Sequence, residues 1–194
     1  MNTTIEYYNK NAEQFVHDTT EVNFTTVQDR FLNKLYDRAY ILDFGCGSGR
    51  DSRYFLERGC RVDASDGSEM MCQKASELTG LDVKQMLFDE LDEDYKYDGI
   101  WACSSILHLP KKELKDVFLK MTRALKDGGV IYTSVKYGEY EGERDGRYFT
   151  DFTEESFREF IRDLEDLYIT DLWITGDVRP DRGDERWLNV IIEK

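Results

Sequence analysis

Apolar residues along the chain alternate between short continuous runs and stripes of helical period. The runs Tyr40–Phe44, Arg61–Ser65, Val83–Leu87, Gly99–Cys103 and Val130–Val135 are bounded by glycine or polar residues and read as buried strands. Between them lie helical segments. Residues 50–58 form one, ended by Gly59, and Ser68–Thr79 another, with Ser68 as N-cap and Gly80 beyond its end. Leu114, Val117, Phe118, Met121 and Leu125 make an amphipathic face. Upstream, Val27, Phe31, Leu32 and Leu35 place a helix within 24–37. Residues 1–22 are polar with interspersed Tyr7, Tyr8 and Phe15, and read as a lid or short helix. Gly128-Gly129 punctuates the chain before the Val130 strand, and 136–152 is a long, charged loop with a functional role. A helix over Thr153–Leu164 leads to strands near 167–175 and 186–193, joined by a loop containing Arg179-Pro180 and expected to pair as an antiparallel hairpin. Strands alternating with helices imply α/β layering around a mostly parallel sheet.

Bulk properties narrow the class. At 194 residues the chain suits one domain, 1–194, with a full-sized core. Its 13% aromatic content argues against disorder despite 34% charged residues. The net charge of −14 repels phosphate backbones and anionic membrane surfaces, which argues against nonspecific nucleic-acid or membrane binding. No apolar run approaches the roughly 20 residues that span a bilayer. Cys46, Cys60, Cys72 and Cys103 form no C-x-x-C pair and only two histidines are present, so no metal site is expected. The polar start MNTTIEYYNKN and the scattered cysteines suit a cytoplasmic protein.

The sharpest local signal is Ile41-Leu42-Asp43-Phe44-Gly45-Cys46-Gly47-Ser48-Gly49-Arg50-Asp51, where a strand gives way to a helix. Glycines let backbone approach a ligand, and the helix beyond offers free N–H groups at the sheet's ligand-binding edge. A dinucleotide site uses G-x-G-x-x-G, whose third glycine would be Arg50 here, so the spacing argues against a nicotinamide cofactor. Asp66 ends the second strand within Val62-Asp63-Ala64-Ser65-Asp66-Gly67-Ser68-Glu69-Met70, where a carboxylate can accept both ribose hydroxyls.

The G-x-G-x-G series with Asp43 ahead of it, and Asp66, Ser68 and Met70 after the second strand, resembles class I S-adenosylmethionine (SAM)-dependent methyltransferases, here a small bacterial branch. The resemblance covers nearly the whole chain. It implies a Rossmann-like three-layer α/β/α fold with a seven-stranded, mostly parallel sheet and an antiparallel strand near the C-terminus. SAM is the implied cofactor. Asp43, Gly45, Cys46, Gly47 and Gly49 would form its loop, with Asp43 near the methionine amino group. Asp66, Gly67 and Met70 would take the ribose side. The N-terminal segment carrying Tyr8 would fold over the cofactor.

One departure stands at the adenine edge. The family places an Asp after the third strand, where this chain has Leu87 followed by Phe88. Apolar contact and backbone N–H groups are expected to hold the ring there unless Asp89 substitutes. Tyr97–Pro110 resembles the family's fourth motif, putting Cys103 and Ser104 beside the cofactor and His108 near the transferred methyl as a general base. Arg144 and Arg147 fall in the loop 136–152 and Arg179 and Arg182 in the loop 176–185, with Arg186 just beyond it. Arg147 and Arg179 would pair an anionic substrate, and Tyr137 and Tyr148 would stack a planar one, unless the arginines only pair with neighbours such as Asp177, Asp181 and Asp184. The expected function is methyl transfer to a small, anionic or aromatic acceptor. A tRNA or protein methyltransferase and a non-catalytic SAM-binding module are the alternatives.

Overall fold

The computed structural model describes residues 3–179 and 182–194; Pro180 of the expected Arg179-Pro180 loop lies outside the described residues, as does Asp181. Seven strands form one sheet: β1 (Tyr40–Phe44), β2 (Arg61–Asp66), β3 (Lys84–Gln85), β4 (Tyr97–Cys103), β5 (Leu125–Lys136), β8 (Tyr168–Gly176) and β9 (Arg186–Glu193). Their spatial order is β3-β2-β1-β4-β5-β9-β8. The first five are mutually parallel, and β9 runs antiparallel to both β5 and β8. This is a Rossmann-like sheet with an antiparallel strand near its C-terminal edge, as expected.

Strand alternation sends side chains to two faces. Ile41, Val62 and Trp101 meet α3 (Thr25–Leu32) and α4 (Arg50–Glu57) through Phe31 and Phe55. Helix α5 (Glu69–Thr79) packs Cys72 and Ala75 against Ala64. Leu42, Phe44 and Ile100 meet α6 (Lys111–Ala124) and α7 (Glu154–Arg162) on the other face. Leu114, Val117, Phe118 and Met121, the stripe read from sequence, are all at most 2% exposed. Helix α3 lies so close over β4 that a Cβ on Gly99 would sit 2.7 Å from Phe31. Ser68 caps α5 by accepting from the Met71 N–H at 3.2 Å, and Gly80 ends it in the left-handed conformation.

Several element boundaries differ from the sequence reading. The helix expected within 24–37 ends at Leu32. Strand β3 shrinks from Val83–Leu87 to two residues, because Glu90 reaches back to the Leu87 N–H at 2.7 Å and turns the chain. Strand β5 begins at Leu125 instead of Val130: Gly128-Gly129 sits in a bulge, across which the β4 partner jumps from Tyr97 opposite Leu125 to Gly99 opposite Val130. The expected loop 136–152 contains a hairpin, β6 (Glu141–Arg144) and β7 (Arg147–Thr150). Its turn residues Asp145 and Gly146 have φ of 52° and 75°. Asp-Gly is a strong signal for such a two-residue turn, and the charge of the segment masked it. Residues 1–22 contain two helices, α1 (Thr3–Lys10) and α2 (Ala12–Thr19). No helix among the described residues is long and apolar enough to cross a membrane. The four cysteines are free, and no cluster of metal-binding side chains occurs among the described residues.

Candidate active site

The strand order reverses between β1 and β4, so the crossovers leave to opposite sides and open a crevice at the strands' carboxyl ends. A cavity of about 810 Å³ lies there, a volume typical of small-ligand sites. Helices α1 and α2 cover it: Asn9 accepts from the Ser68 hydroxyl at 2.7 Å, and Thr19 donates to Ser48 at 3.2 Å.

The three glycines of the loop meet different neighbours. A Cβ on Gly45 would lie 2.4 Å from that of Ser105, so this glycine lets the loop touch the end of β4. On Gly47 it would approach the lid residue Phe15 at 3.2 Å. On Gly49 it would meet the Ala75 backbone at 3.0 Å, and Gly49 does not line the cavity; it serves helix packing. Gly45, Cys46, Gly47 and Gly67 do line it.

Asp66 lies at the cavity wall, as a ribose acceptor must. One carboxylate oxygen accepts from Gly47 N–H at 3.0 Å and the other from Ser68 N–H at 2.9 Å. Burial raises its pKa, while these N–H groups and that of Gly67 oppose the shift. Asp43 differs. It is 1% exposed, accepts from Ser52 Oγ at 2.6 Å and does not reach the cavity. Burial, reinforced by the Asp51 charge, pushes its carboxyl up to about 8. The acid that lines the cavity beside it is Asp51, paired with Arg50. The sequence reading gave neither of these two residues a role.

Leu87, Phe88, Cys103 and Ser104 line the cavity. The Phe88 ring packs edge-on against Phe44 at 4.9 Å. The Leu87 N–H is taken by Glu90, which leaves this edge to apolar contact, later backbone N–H groups and Asp89, also in the wall. Met70 stays out of the wall; Met71, one residue on, is in it. The Met70 backbone N–H meets Asn9 of α1 at 3.3 Å.

At the other end of the cavity, Tyr8 and His108 are joined at 2.9 Å through Nε2. His108 Nδ1 lies 2.6 Å from the Tyr148 carbonyl, which can only accept, so Nδ1 carries a proton. Burial lowers the His108 pKa to about 4. The ring is therefore neutral, Nε2 is its acceptor, and Tyr8 donates to it. Tyr148 contributes only that carbonyl. Its side chain is outside the wall and donates to Glu141 at 3.2 Å, because β7 alternation turns it to the hairpin's outer face.

The two arginine-bearing loops do converge, since Arg144, Arg147, Arg179, Arg182 and Arg186 all line the cavity. Most are neutralised by neighbours. Arg179 forks onto Asp177 at 2.9 and 2.6 Å, Arg144 pairs with Asp151 at 2.9 Å, and Arg182 lies 3.7 Å from Glu185. Arg147 has no carboxylate partner among the described residues, and its Nε is buried without a hydrogen bond. Rings of Tyr7, Tyr8 and Phe149 lie 4.4, 5.9 and 5.0 Å from its guanidinium carbon. Tyr137 lines the wall beneath Arg186 at 4.6 Å.

A family model for a methyltransferase domain matches residues 41–129, which hold the glycine loop, Asp66 and β4. An uncharacterised methyltransferase of Staphylococcus carnosus is 23% identical over 93% of this chain and 90% of its own length. Another uncharacterised methyltransferase, from Geobacillus kaustophilus, is 29% identical over 80% of this chain and 74% of its own. The solved structure of 1,6-didemethyltoxoflavin-N1-methyltransferase from Burkholderia thailandensis, with 1,6-didemethyltoxoflavin and S-adenosylhomocysteine bound, superposes with a TM-score of 0.79 at 23% identity, over 98% of this chain and 84% of that one. Fold, glycine loop and cavity together define a nucleotide-cofactor α/β enzyme. Residues 41–129 match a methyltransferase domain, and the chain as a whole has the fold of SAM-dependent methyltransferases.

Proposed function

We propose that this methyltransferase acts on a small acceptor that enters the cavity as an anion. Arg147 carries the reading: it is a guanidinium at the cavity wall, boxed by three aromatic rings, with no carboxylate of its own among the described residues. An acceptor carboxylate, phosphate or ionised heteroaromatic ring supplies the missing charge, and a flat one also stacks on the surrounding rings. The Burkholderia enzyme was crystallised with 1,6-didemethyltoxoflavin, so the same fold accommodates a small acceptor beside its cofactor product.

Bound SAM supplies a methyl group already activated by its sulfonium. The residues present fit it: the Asp66 carboxylate stands at the cavity wall as an acceptor for ribose hydroxyls, and Leu87, Phe88 and Met71 give the adjoining wall an apolar surface. Gly45, Cys46, Gly47 and Gly67 bring backbone close, and Cys103 and Ser104 border the acceptor side. Tyr8, on the lid formed by residues 1–22, excludes water. His108 positions Tyr8 and does not remove a proton, because its lone pair is engaged and burial makes it a weak base. An acceptor that arrives as an anion needs no stronger base. Tyr137 and Arg179, on the loops 136–152 and 176–185, shape the outer acceptor site.

The test is S-adenosylhomocysteine release over a panel of small carboxylates, phosphates and acidic heteroaromatics, with neutral analogues, bulk tRNA and a protein lysate alongside. Turnover confined to anionic small molecules is expected, with Arg147→Leu raising KM roughly tenfold or more. Turnover only on tRNA or protein would sink the reading. Calorimetry supplies the cofactor arm: SAM binds, NAD does not, and Asp66→Ala weakens SAM on the order of a hundredfold.

A further inference from the structure

Strands β6 and β7 place Arg144 directly opposite Arg147, on either side of the Asp145-Gly146 turn. Opposed residues of an antiparallel pair share a face, and like charges so placed destabilise the pairing. Phe149, two residues beyond Arg147, lies on that face too. Its ring centre is 4.6 Å from the Arg144 guanidinium carbon and 5.0 Å from that of Arg147. All three residues line the cavity. Both arginine Nε atoms are buried with no hydrogen-bond partner among the described residues. Asp151 accepts from Arg144 only through Nη2, at 2.9 and 3.1 Å, so it meets the charge of Arg144 and leaves the Nε donor unused. Asp145, in the turn, is exposed and forms no ion pair with either arginine among the described residues.

Two guanidinium groups sharing one ring are unfavourable by themselves and become favourable with an oxyanion beside that ring. The number of donors says which oxyanion fits. A carboxylate has two oxygens, and a single guanidinium fork saturates it. Arg147 alone is enough for that. A phosphate monoester has three terminal oxygens and close to two negative charges near neutrality. It can take the fork of Arg147 and the unused Nε edge of Arg144 together. The rings of Tyr7 and Tyr8, at 4.4 and 5.9 Å from the Arg147 guanidinium carbon, give an aromatic part of the same ligand surfaces to meet.

We infer that Arg144 and Arg147 form a clamp for a phosphate monoester carried by the acceptor. The inference rests on the reading that Arg147 receives the acceptor's anionic group, and it narrows that group to a phosphoryl. Arg144 is then the residue that sets specificity: Arg147 accepts any small anion, and the pair favours the tetrahedral dianion.

Calorimetry of the full chain, with S-adenosylhomocysteine in excess, tests it with phenyl phosphate, benzoate and inorganic phosphate at about pH 7.5, where the ester is mostly dianionic. Wild type should bind phenyl phosphate roughly tenfold or more tightly than benzoate. It should also bind phenyl phosphate more tightly than inorganic phosphate, which has no ring. The double variant Arg144→Gln/Asp151→Asn removes both charges of that pair together, so no carboxylate is left unpaired. It should lose the preference for phenyl phosphate and keep wild-type affinity for benzoate. A preference that survives in the double variant overturns the inference, and so do equal wild-type affinities for phenyl phosphate and benzoate. An equal loss of all three probes would mark a merely structural pair and overturn it as well. Inorganic phosphate bound more tightly than phenyl phosphate would assign the two arginines to a free ion instead of an acceptor. Should the double variant not fold, Arg144→Lys is judged by the same criteria, since its ammonium still pairs with Asp151 but has no second donor edge. Benzoate binding without any preference for the ester leaves the Arg147 reading in place; failure to bind any of the three removes that reading and the inference with it.

Discussion

The glycine-loop side of the cavity and its acceptor rim hold charge in opposite ways. On the loop side, Asp66 is fixed by two backbone N–H groups, and Asp51 by four side-chain donors. Every partner there belongs to the β1–β2–β4 framework or the helices packed on it. At the rim, charged groups sit on a hairpin and a connecting loop and satisfy one another: Arg179 with Asp177, Arg144 with Asp151, Arg182 with Glu185. Residue type therefore says little about role at the rim. Five arginines of the rim reach the cavity, but the two without a carboxylate among the described residues, Arg147 and the exposed Arg186, are the ones with charge to spare.

Paired glycine substitutions put the largest strain on that contrast. Gly45 and Gly146 have similar left-handed φ, 84° and 75°. A methyl group on Gly45 would lie 2.4 Å from Ser105 Cβ; on Gly146 it would meet Tyr7 at an ordinary 3.7 Å. Gly45→Ala should cost about 3 kcal/mol or more, backbone strain plus overpacking, and Gly146→Ala about 1 kcal/mol. Urea unfolding of both checks this. Equal losses would mean that the loop side is no more rigidly packed than the rim.

The buried histidine gives a smaller, pH-dependent effect. Its folded pKa, about 4, lies below the unfolded value near 6.5. Between those values the unfolded chain binds the proton and the folded chain does not, so this contribution is lost as pH falls. His108→Gln should gain on wild type by about 2 kcal/mol from pH 7 to pH 5. A constant difference across that range would show that the Tyr8–His108 contact opens to solvent.

Asp43 gives the smallest change in binding. Its carboxyl is raised to about 8, so it stays largely protonated near neutrality, and Asn mimics that state. Asp43→Asn should alter SAM affinity less than about threefold, against the large loss expected of Asp66→Ala. The sign of its stability effect is opposite to that of His108. The folded chain keeps the Asp43 proton up to about pH 8 and the unfolded chain releases it near pH 4, so wild type loses ground to the variant as pH rises. A large affinity loss in Asp43→Asn would return that acid to the cofactor site.

Much of the frame was legible in sequence because it rests on local rules. Period-2 and period-3.6 patterns located β1, β2, β4 and the α6 stripe, and Ser68 and Gly80 bounded α5 through cap chemistry. The glycine spacing with Asp66 pointed to the cofactor before any contact was known. The failures were of two kinds. The Asp145-Gly146 turn was written in the chain and was obscured by surrounding charge. Others were not written at all. Asp43 and Asp51 are both acids beside the loop, and Met70 and Met71 are adjacent residues of one type; only the packing of β1 on α4, and of α5 under α1, decides which of each pair faces the cavity.

The sequence by itself determined the layering, the strand-loop-helix at the cofactor edge and the class of cofactor, since these follow from periodicity, backbone freedom and the donor chemistry of a few residues. Tertiary structure alone decided which charges remain available: Arg147 uncompensated at the rim, Arg50 taken by Asp51, His108 neutral under Tyr8. Availability depends on partners more than 20 residues away along the chain, Gln28 for Asp51, Trp101 for Asp51, Tyr148 for His108, and no local pattern encodes who those partners are.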